Sequence, residues 1–477
     1  MLVGKFFKNI NPKYKSHYFS GLSFNSVATK KNNIYFAIIG TNINGNKFIN
    51  KAIKKGAKTI VSNLNFEGLK NQVLYIKTNN SRKLLSEVAS KLYQNKPNNL
   101  IAVTGTNGKS SIANFYFQIL KLNHKKVASI GTLGVKTNFN NLEIKNTTLD
   151  PISLNKHLQK IKKLKIDNVI LEASSHGLKQ YRLNGLDFKT GIFTNLSRDH
   201  LDYHKSYNDY LKSKLLLFRY LLKKNSNVIT DISIPQYKTI KNITKKKQQK
   251  IFTIGSKKSY LELTKHSYKG DKQILKIKYK NKIYKITVNL IGKIQIKNIL
   301  MAMIAAGKSD LKFERIVKKI NKIKNVSGRL EKIGKLKNNS TVILDYAHTP
   351  DALKNCLQNI KDQFSNRRIS IVFGCGGDRD KVKRSQMGKI ANKFCHKIYL
   401  TDDNPRFENP RKIRLSIKKF VEKNKLFEIS NREKAIFSAM VSLNSGEILL
   451  VAGKGHEEDQ DYGSYIRKFS DKKIILK

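Results

Sequence analysis

The chain has 477 residues, with 94 Lys and Arg against 33 Asp and Glu, a formal net charge of +61. At 39% hydrophobic residues, with 23 Phe and 20 Tyr, it holds enough apolar surface for real cores. That excludes a disordered basic protein, and the length suits about three domains. The excess Lys runs the whole length beside abundant Asn and Ile and no Trp, a bias that A/T-rich codons produce. A selected nucleic-acid surface or another anionic partner are the alternatives, and a nucleic-acid surface gathers its charge on one face. Cys356, Cys375 and Cys395 form no CxxC pair, so neither a disulfide framework nor a zinc knuckle is expected and a reducing cytosol is the simplest setting. The first eight residues lack the apolar stretch of a secretion signal, and no run of about 18 apolar residues occurs. The reading is a cytoplasmic protein without membrane insertion.

In chain order, short apolar runs at 34–39, 59–61 and 73–76, separated by a helix-like stretch at 48–55, predict a small α/β unit. The polar segment 94–99 breaks that pattern and sets a boundary near residue 97. Residues 100–103 (Leu-Ile-Ala-Val) give a buried-strand signal that runs into Thr104-Gly105-Thr106-Asn107-Gly108-Lys109-Ser110-Ser111. Beyond it Ile112, Phe115, Ile119 and Leu122 recur at helical spacing, so the order is strand, glycine turn, helix. Strand-like runs follow at 169–171 and 190–193, with helical periodicity around 210–222. Residues 225–290 are Lys-rich, alternate like a strand at 274–279, and read as an insertion or an extra sheet. Helices over 296–306 and 313–323 close the middle region, and a third α/β alternation places strands at 341–344, 369–373, 397–400 and 447–451.

The run from Gly105 to Ser110 is a phosphate cradle by its chemistry. Glycines let backbone N–H groups turn inward, Lys109 adds a point charge at the outer phosphates, the Ser110 hydroxyl suits Mg²⁺, and the next helix offers its positive end. Val103 occupies the first glycine position of the full G-x-x-x-x-G-K-[ST] spacing, which leaves an ordinary turn as the alternative. Glu172 at a strand end is placed to anchor a second ligand of a divalent cation, or else to act as a helix cap or surface residue. The 199–204 segment packs Asp199, His200, Asp202 and His204 together, with no third ligand or HExxH glutamate to make a zinc site. Three polar loops follow strands in the last third: Gly374-Cys375-Gly376-Gly377-Asp378-Arg379-Asp380, Asp402-Asp403-Asn404-Pro405-Arg406 and Gly453-Lys454-Gly455-His456-Glu457. Open α/β sheets bind ligands at such loops. In the second of them Asp can hold an ammonium and Arg can fork onto a carboxylate, which fits a zwitterionic amino acid, with a solvated turn as the alternative.

With these motifs assembled, the sequence resembles the Mur ligases of bacterial cell-wall synthesis over essentially its full length. The resemblance rests on the run 104–111, on Glu172 to Leu178, on 195–204, on Ser327-Gly328-Arg329 and Asp345-Tyr346-Ala347-His348-Thr349-Pro350-Asp351, and on the three C-terminal loops, all in family order. It implies an α/β three-domain architecture: a UDP-substrate-binding domain at 1–97, a central P-loop ATPase-type parallel sheet at 98–325 and a Rossmann-like amino-acid-binding domain at 326–477. It also implies ATP and Mg²⁺. The ATP site would comprise Gly105, Thr106, Asn107, Gly108, Lys109, Ser110, Asn298, Arg329 and Asp345, with the metal near Ser110, Glu172 and His200. Catalytic roles fall on Lys109, Glu172, His200 and Lys214. The last matches a family lysine that is carbamylated in a Tyr-x-x-x-Lys-x-x-Leu-Phe context, here Tyr210, Lys214, Leu217 and Phe218; by composition alone it is a surface lysine.

By the same resemblance, a UDP-muramoyl-dipeptide would meet Ser26, Asn146, Thr147, Thr148, Ser174, Gln180 and Arg182. Diaminopimelate would meet Arg379, Asp403, Asn404, Pro405, Arg406, Gly453 and Glu457, and in the family the arginine of the Asp-Asn-Pro-Arg loop marks enzymes whose amino acid carries a second carboxylate. The implied reaction joins meso-2,6-diaminopimelate to UDP-N-acetylmuramoyl-L-alanyl-D-glutamate through an acyl phosphate, in a monomer acting on small molecules with no specific nucleic acid. The sequence departs from the family pattern at Asn25-Ser26-Val27 (for Asp-Ser-Arg), Leu149 (for Pro), Gln295 (for Asn) and Ser110 (for the commoner Thr). A folylpolyglutamate synthase, another Mur ligase and a basic nucleic-acid-binding P-loop protein are the competing readings.

Overall fold

The computed structural model describes residues 1–40, 43–144, 146–200 and 203–477. Leu201 and Asp202 of the 195–204 motif lie outside the described residues. Among the described residues the strands gather into three principal sheets, spanning 21–77, 99–288 and 331–452, with one small hairpin at 459–468. The first sheet runs Gly21–Ser23, Asn33–Phe36, Thr59–Ser62, Val73–Lys77 and Gly68–Lys70, parallel except for the last. Its small α/β character is the one expected from the alternation of runs there.

The second sheet is built around Asn99–Thr104, which pairs in parallel with Asn168–Glu172 on one side and Phe188–Phe193 on the other. This strand is apolar on both faces because both are covered: Ile101 and Val103 enter one core, Leu100 and Ala102 the other. After Thr104 the chain turns through 105–108 into the helix Lys109–Leu122, whose N-terminal cap, Gly108, has φ +90°. That helix packs on Lys293–Gly307, which is apolar on nearly all sides and accordingly buried. The helical interior of the middle unit is thus two helices thick beside the nucleotide loop.

Residues 225–290, expected as an insertion or an extra sheet, instead continue the central sheet. Leu222–Asp231 and Lys250–Gly255 add two parallel strands to the same sheet, and Leu261–Lys269, Lys272–Tyr279 and Lys282–Val288 extend it with antiparallel pairing after one parallel contact. The physical reason is the buried half of the alternation: Leu275, Ile277, Ile286 and Val288 join Phe313, Ile316 and Ile320 in the core that also holds the nucleotide helix. The helix expected around 210–222 is likewise shorter. It spans Tyr207–Leu216, passes into a π-helical turn at Leu217–Leu221, and a strand begins at Leu222. The apolar run there, interrupted only by Arg219, carries no periodic mark of where helix gives way to strand.

The third sheet is ordered Glu331–Lys335, Thr341–Asp345, Ile448–Ala452, Ile369–Phe373, Lys397–Leu400 and Leu426–Glu428, all parallel except the first. Ile448–Ala452, late in the chain, inserts between two earlier strands, so the loops after residues 345, 373, 400 and 452 converge at one edge. No helix of the described residues is long and apolar enough to cross a membrane.

Phe115 is fully buried on the nucleotide helix. Phe115→Ala should therefore lower stability by about 3–5 kcal/mol. Urea unfolding measures this, and a loss below about 1 kcal/mol would show that the helix is not anchored by its core face.

Candidate active site

The turn after Thr104 has no room for a side chain at either of its glycines. A Cβ on Gly105, at φ +142°, would lie 1.8 Å from Thr194 Oγ1, and one on Gly108 would lie 2.5 Å from Asn298 Oδ1. Both glycines let the backbone approach a ligand closely. Lys109 Nζ donates to the carbonyls of Gly105 (2.9 Å) and Thr106 (2.8 Å). Burial lowers its pKa, and Glu172 and Asp199 oppose that shift. Asn298 Nδ2 donates to Gln295 Oε1 (3.0 Å), and Gln295 Nε2 donates to the carbonyl of Arg329 (3.1 Å). The family-atypical Gln295 is thus a strut between the two halves of the nucleotide site. Arg329 lies over the Tyr346 ring at 4.6 Å and reaches toward Ser110 Oγ (3.5 Å). Asp345 accepts from the N–H groups of Leu330 (2.6 Å) and Ala347 (2.8 Å), and burial raises its pKa despite Arg329.

Glu172 is 2% exposed, so it is neither a surface residue nor a helix cap. Its Oε2 accepts from Ser110 Oγ (3.0 Å) and Thr132 Oγ1 (3.1 Å), and its Oε1 from Thr132 N–H (2.9 Å). Thr132 Oγ1 in turn stands 3.0 Å from Thr147 Oγ1. A Cβ at Gly131 would sit 2.2 Å from Glu172 Oε1, so this carboxylate needs glycine beside it. A carboxylate ringed by hydroxyls is an oxygen donor set suited to a hard divalent cation, and Mg²⁺ fits it. Beside it, Nε2 of His200 lies 3.4 Å from Asp199 Oδ2. Burial lowers the His200 pKa more than Asp199 raises it, leaving a neutral imidazole with a lone pair to offer. Burial alone would raise the Asp199 pKa, but His200, His348 and Lys109 outweigh it and the net shift is downward.

Lys214 is the sharpest correction to the composition-based reading. It is 1% exposed, donates to the carbonyl of Gly105 (2.7 Å) and lies 4.3 Å over the Tyr210 ring. Burial, reinforced by Lys109, drives its pKa far down. His204, the other half of the suspected histidine pair, faces Ser175 Oγ (3.0 Å) and Asp209 Oδ2 (3.5 Å).

On the adjoining wall, Thr148 Oγ1 donates to the carbonyl of Glu172 (2.8 Å), and Ser174 Oγ caps the short helix Ser175–Lys179 by accepting from Gly177 N–H. Arg182 donates to the carbonyl of Thr148 (2.6 Å) and, through Nε and Nη2, to Gln180 Oε1. Asn146, Thr147, Thr148, Ser174 and Arg182 line one cleft of about 640 Å³, with Gln180 behind Arg182. Ser26 does not line it. It follows the strand Gly21–Ser23 in the first sheet, buried at 7% exposure. Arg82, which carried no motif, adds its positive field to that of Arg182.

The three C-terminal loops interlock. A Cβ on Gly377 would lie 1.8 Å from the carbonyl of Pro405, and one on Gly453, at φ +113°, 2.7 Å from Asp403 Oδ2. Arg406 Nη1 donates to the carbonyl of Gly377 (2.8 Å), and its Nε stands 3.6 Å from Asp461. Glu457 accepts at Oε1 from Tyr346 Oη (3.2 Å) and at Oε2 from Asn404 Nδ2 and Lys454 Nζ (both 3.2 Å). Asp402 and Asp403 are each 8% exposed, which rules out a solvated turn. Behind the loops Arg384, 3% exposed, forks onto Glu408 with two bonds of 2.7 Å, and Glu408 Oε2 also accepts from Asp378 N–H. Arg379 is exposed and lines the same cleft as Asp403, Asn404, Arg406, Gly453 and Glu457.

A second cleft of about 470 Å³ contains Thr106 to Ser110, Glu172, Lys214, Asn298, Arg329 and Asp345. Thr147, Ser174, Asp199 and His200 on one side, with Tyr346 and His348 on the other, line both clefts. The nucleotide loop, the Thr147–Ser174 wall and the amino-acid loops therefore open onto one continuous space.

A glycine turn between strand and buried helix, open across a shared wall to three interlocked polar loops, is the arrangement of an ATP-dependent acid–amino-acid ligase. The chain belongs to the Mur ligase family: residues 103–306 match the Mur ligase middle domain and residues 328–455 the Mur ligase glutamate ligase domain. It is 38% identical over 474 residues to the UDP-N-acetylmuramoyl-L-alanyl-D-glutamate–2,6-diaminopimelate ligase of Rickettsia montanensis, covering 98% of each chain. A solved structure of an enzyme of that name matches with a TM-score of 0.72 at 28% identity, covering 100% of this chain and 98% of the other. The fold is shared more distantly with the MurF ligase of Thermotoga maritima in complex with ADP, at a TM-score of 0.64 and 15% identity over 95% of this chain and 96% of that one.

The Arg384–Glu408 fork gives the site an acid limit. Arg384 holds the Glu408 pKa at about 2, below its ordinary 4.5, so the pair's stabilisation is complete above pH 4.5 and is lost as pH falls toward 2. Compared by urea midpoint, wild type should exceed Glu408→Gln by a constant margin at neutral pH, and the margin should shrink below pH 4.5. A margin independent of pH would assign the loss to packing instead.

Proposed function

We propose that the protein is the ATP-dependent ligase that joins meso-2,6-diaminopimelate to the D-glutamyl side-chain carboxylate of UDP-N-acetylmuramoyl-L-alanyl-D-glutamate. The observation that carries this reading is the shared wall of the two clefts, with Lys109 and Glu172 at one end and Asp403, Arg406 and Glu457 at the other. ATP phosphorylates the carboxylate. The amine of diaminopimelate then attacks the acyl phosphate, and the tetrahedral adduct expels phosphate to leave the amide. Along this path negative charge builds on the transferring phosphoryl group, and Lys109 with the N–H groups of 105–110 stabilises it in place. Arg329 and Asp345 frame the nucleotide beside Asn298.

Mg²⁺, when bound, neutralises phosphate charge and draws the oxygens into line. Ser110, Glu172 and His200 would hold it. Arg182, Thr148 and Ser174 position the muramoyl-dipeptide so that its carboxylate meets the phosphate loop. Lys214, buried and poor at holding a proton, reacts as a free amine with CO₂, losing one proton to form a carbamate; this puts an anion where a neutral amine stood beside Lys109. Arg406 pairs with the distal carboxylate of the amino acid, while Asp403 and Glu457 take its ammonium. Three soluble small-molecule substrates suit a cytoplasmic enzyme.

Two measurements test this. Lys109→Ala should abolish phosphate release that depends on all three substrates; near-normal turnover would remove the phosphate loop from the mechanism. Wild type should strongly prefer meso-diaminopimelate to L-lysine, and Arg406→Ala should lower kcat/KM for diaminopimelate by about 10–100-fold, the range of a lost charge-assisted pair. Equal use of L-lysine by wild type would overturn the assignment of Arg406.

A further inference from the structure

Behind the amino-acid loops lies a buried charge cluster that the mechanism above does not use. Arg432, 1% exposed at the start of the helix Arg432–Val441, forks onto Asp471 through Nε–Oδ1 and Nη2–Oδ2, both 2.8 Å. Asp471 is fully buried at the start of the C-terminal helix Asp471–Leu476. The same Nη2 donates to the carbonyl of Ala452 (2.9 Å), the residue before Gly453. The remaining nitrogen, Nη1, points at Asp403 Oδ2 from 4.0 Å, and neither atom has a hydrogen-bond partner among the described residues. Lys454, fully buried, makes a parallel link by donating to both Asn404 Oδ1 (3.0 Å) and Glu457 Oε2.

Count the charges. Asp403, Glu457 and Asp471 contribute three negatives, Arg432 and Lys454 two positives, so the set as arranged is one negative charge in excess. Asp403 and Asp471 are buried while the Glu457 side chain is 33% exposed, so the excess lies at the cleft wall, where a cation can relieve it. The cation that fits is one ammonium, delivered next to Gly453 where Asp403 and Glu457 line the cleft.

We infer that Arg432, backed by Asp471, is a positioning residue for the amino-acid substrate: it orients Asp403 and the strand end at Ala452 so that the cluster is completed by the substrate's distal ammonium. Asp471 sets how much of the guanidinium's charge is left to act on Asp403. With the Asp471 carboxylate in place, the fork satisfies Arg432 and Asp403 stays available to the ligand. Without it, Arg432 turns its full charge on Asp403 and competes with the ammonium. The inference deepens the proposed function and rests on its placement of the amino acid.

The test is steady-state kinetics of the full chain with each substrate varied in turn, on wild type, Asp471→Asn and Arg432→Lys. Asp471→Asn is nearly isosteric and should raise KM for meso-diaminopimelate about tenfold, the scale of one charge-assisted bond, with KM for ATP and for the nucleotide sugar unchanged. Arg432→Lys keeps the charge without the fork, should shift the same KM, and covers the case in which Asp471→Asn fails to fold. A third readout separates positioning from bulk stability: 2-aminopimelate, which lacks the distal ammonium, should be used poorly by wild type and no worse by Asp471→Asn. Unchanged KM for diaminopimelate in both variants, or equal losses with all three substrates, would falsify the inference while leaving the proposed reaction standing. Absence of diaminopimelate-dependent turnover in wild type would instead overturn the reaction itself.

Discussion

Two lysines donate to one carbonyl. Lys109 and Lys214 both reach Gly105 O, deep in the middle unit, and the site's electrostatics follow from that convergence. In this interior burial, reinforced by Lys109, lowers the Lys214 pKa, and the charge of Lys109 demands anions nearby. Glu172 and Asp199 supply part of that demand from the protein side, and phosphate oxygens at the loop supply the rest in the proposed reaction. The strand Asn99–Thr104, sealed on both faces, fixes the carbonyl; the left-handed glycines on either side of 106–107 keep the approach clear. What lies around the loop is arranged to hold that field in register with a second cleft: Gln295 braces Asn298 against Arg329, and Tyr346 links Arg329 to Glu457.

Much of this was legible in the sequence because it is local. A strand signal running into Gly105–Ser110 and then a helical period leaves few ways to fold, and the loops after strands at 374, 402 and 453 are legible for the same reason. Less legible were contacts that only distant chain segments create. Thr132 carries no motif, and Gln295 stood out only as a departure from the family pattern, yet one completes the ring around Glu172 and the other ties Asn298 to Arg329. Lys214 reads as surface by composition because nothing local announces that Tyr210 and Gly105 enclose it; only the family pattern pointed there. The 225–290 region misread for a related reason: alternation reveals a strand with one covered face but not which sheet it extends, and the cover here comes from residues 313–320. Ser26 marks the opposite case, a motif residue that the fold leaves away from both clefts.

The scarcity of acids sharpens the picture of the third unit. With 33 acidic residues in the chain, the clustering of Asp403, Glu457, Asp461, Asp471 and Glu408 around three loops concentrates negative charge where an amino acid's ammonium must be drawn in. Each is tied by a cation or an N–H, so the loops are held in shape by the same groups that set their charge. Shape and recognition are therefore not separable there: a change to one partner alters both the geometry and the field.

The outermost strand of the long central sheet, Lys282–Val288, leaves one row of backbone N–H and C=O groups without a neighbouring strand. Such an edge is a template on which a second chain can build, the first step toward insoluble assemblies. Lys282 and Lys285 stand exposed on that strand, and Lys272 and Lys276 on the strand beside it. Any identical edge that approaches brings its own row of ammonium groups and is repelled. The surplus lysine of a biased composition thus serves as a guard on the border that the eleven-stranded sheet leaves open at this end.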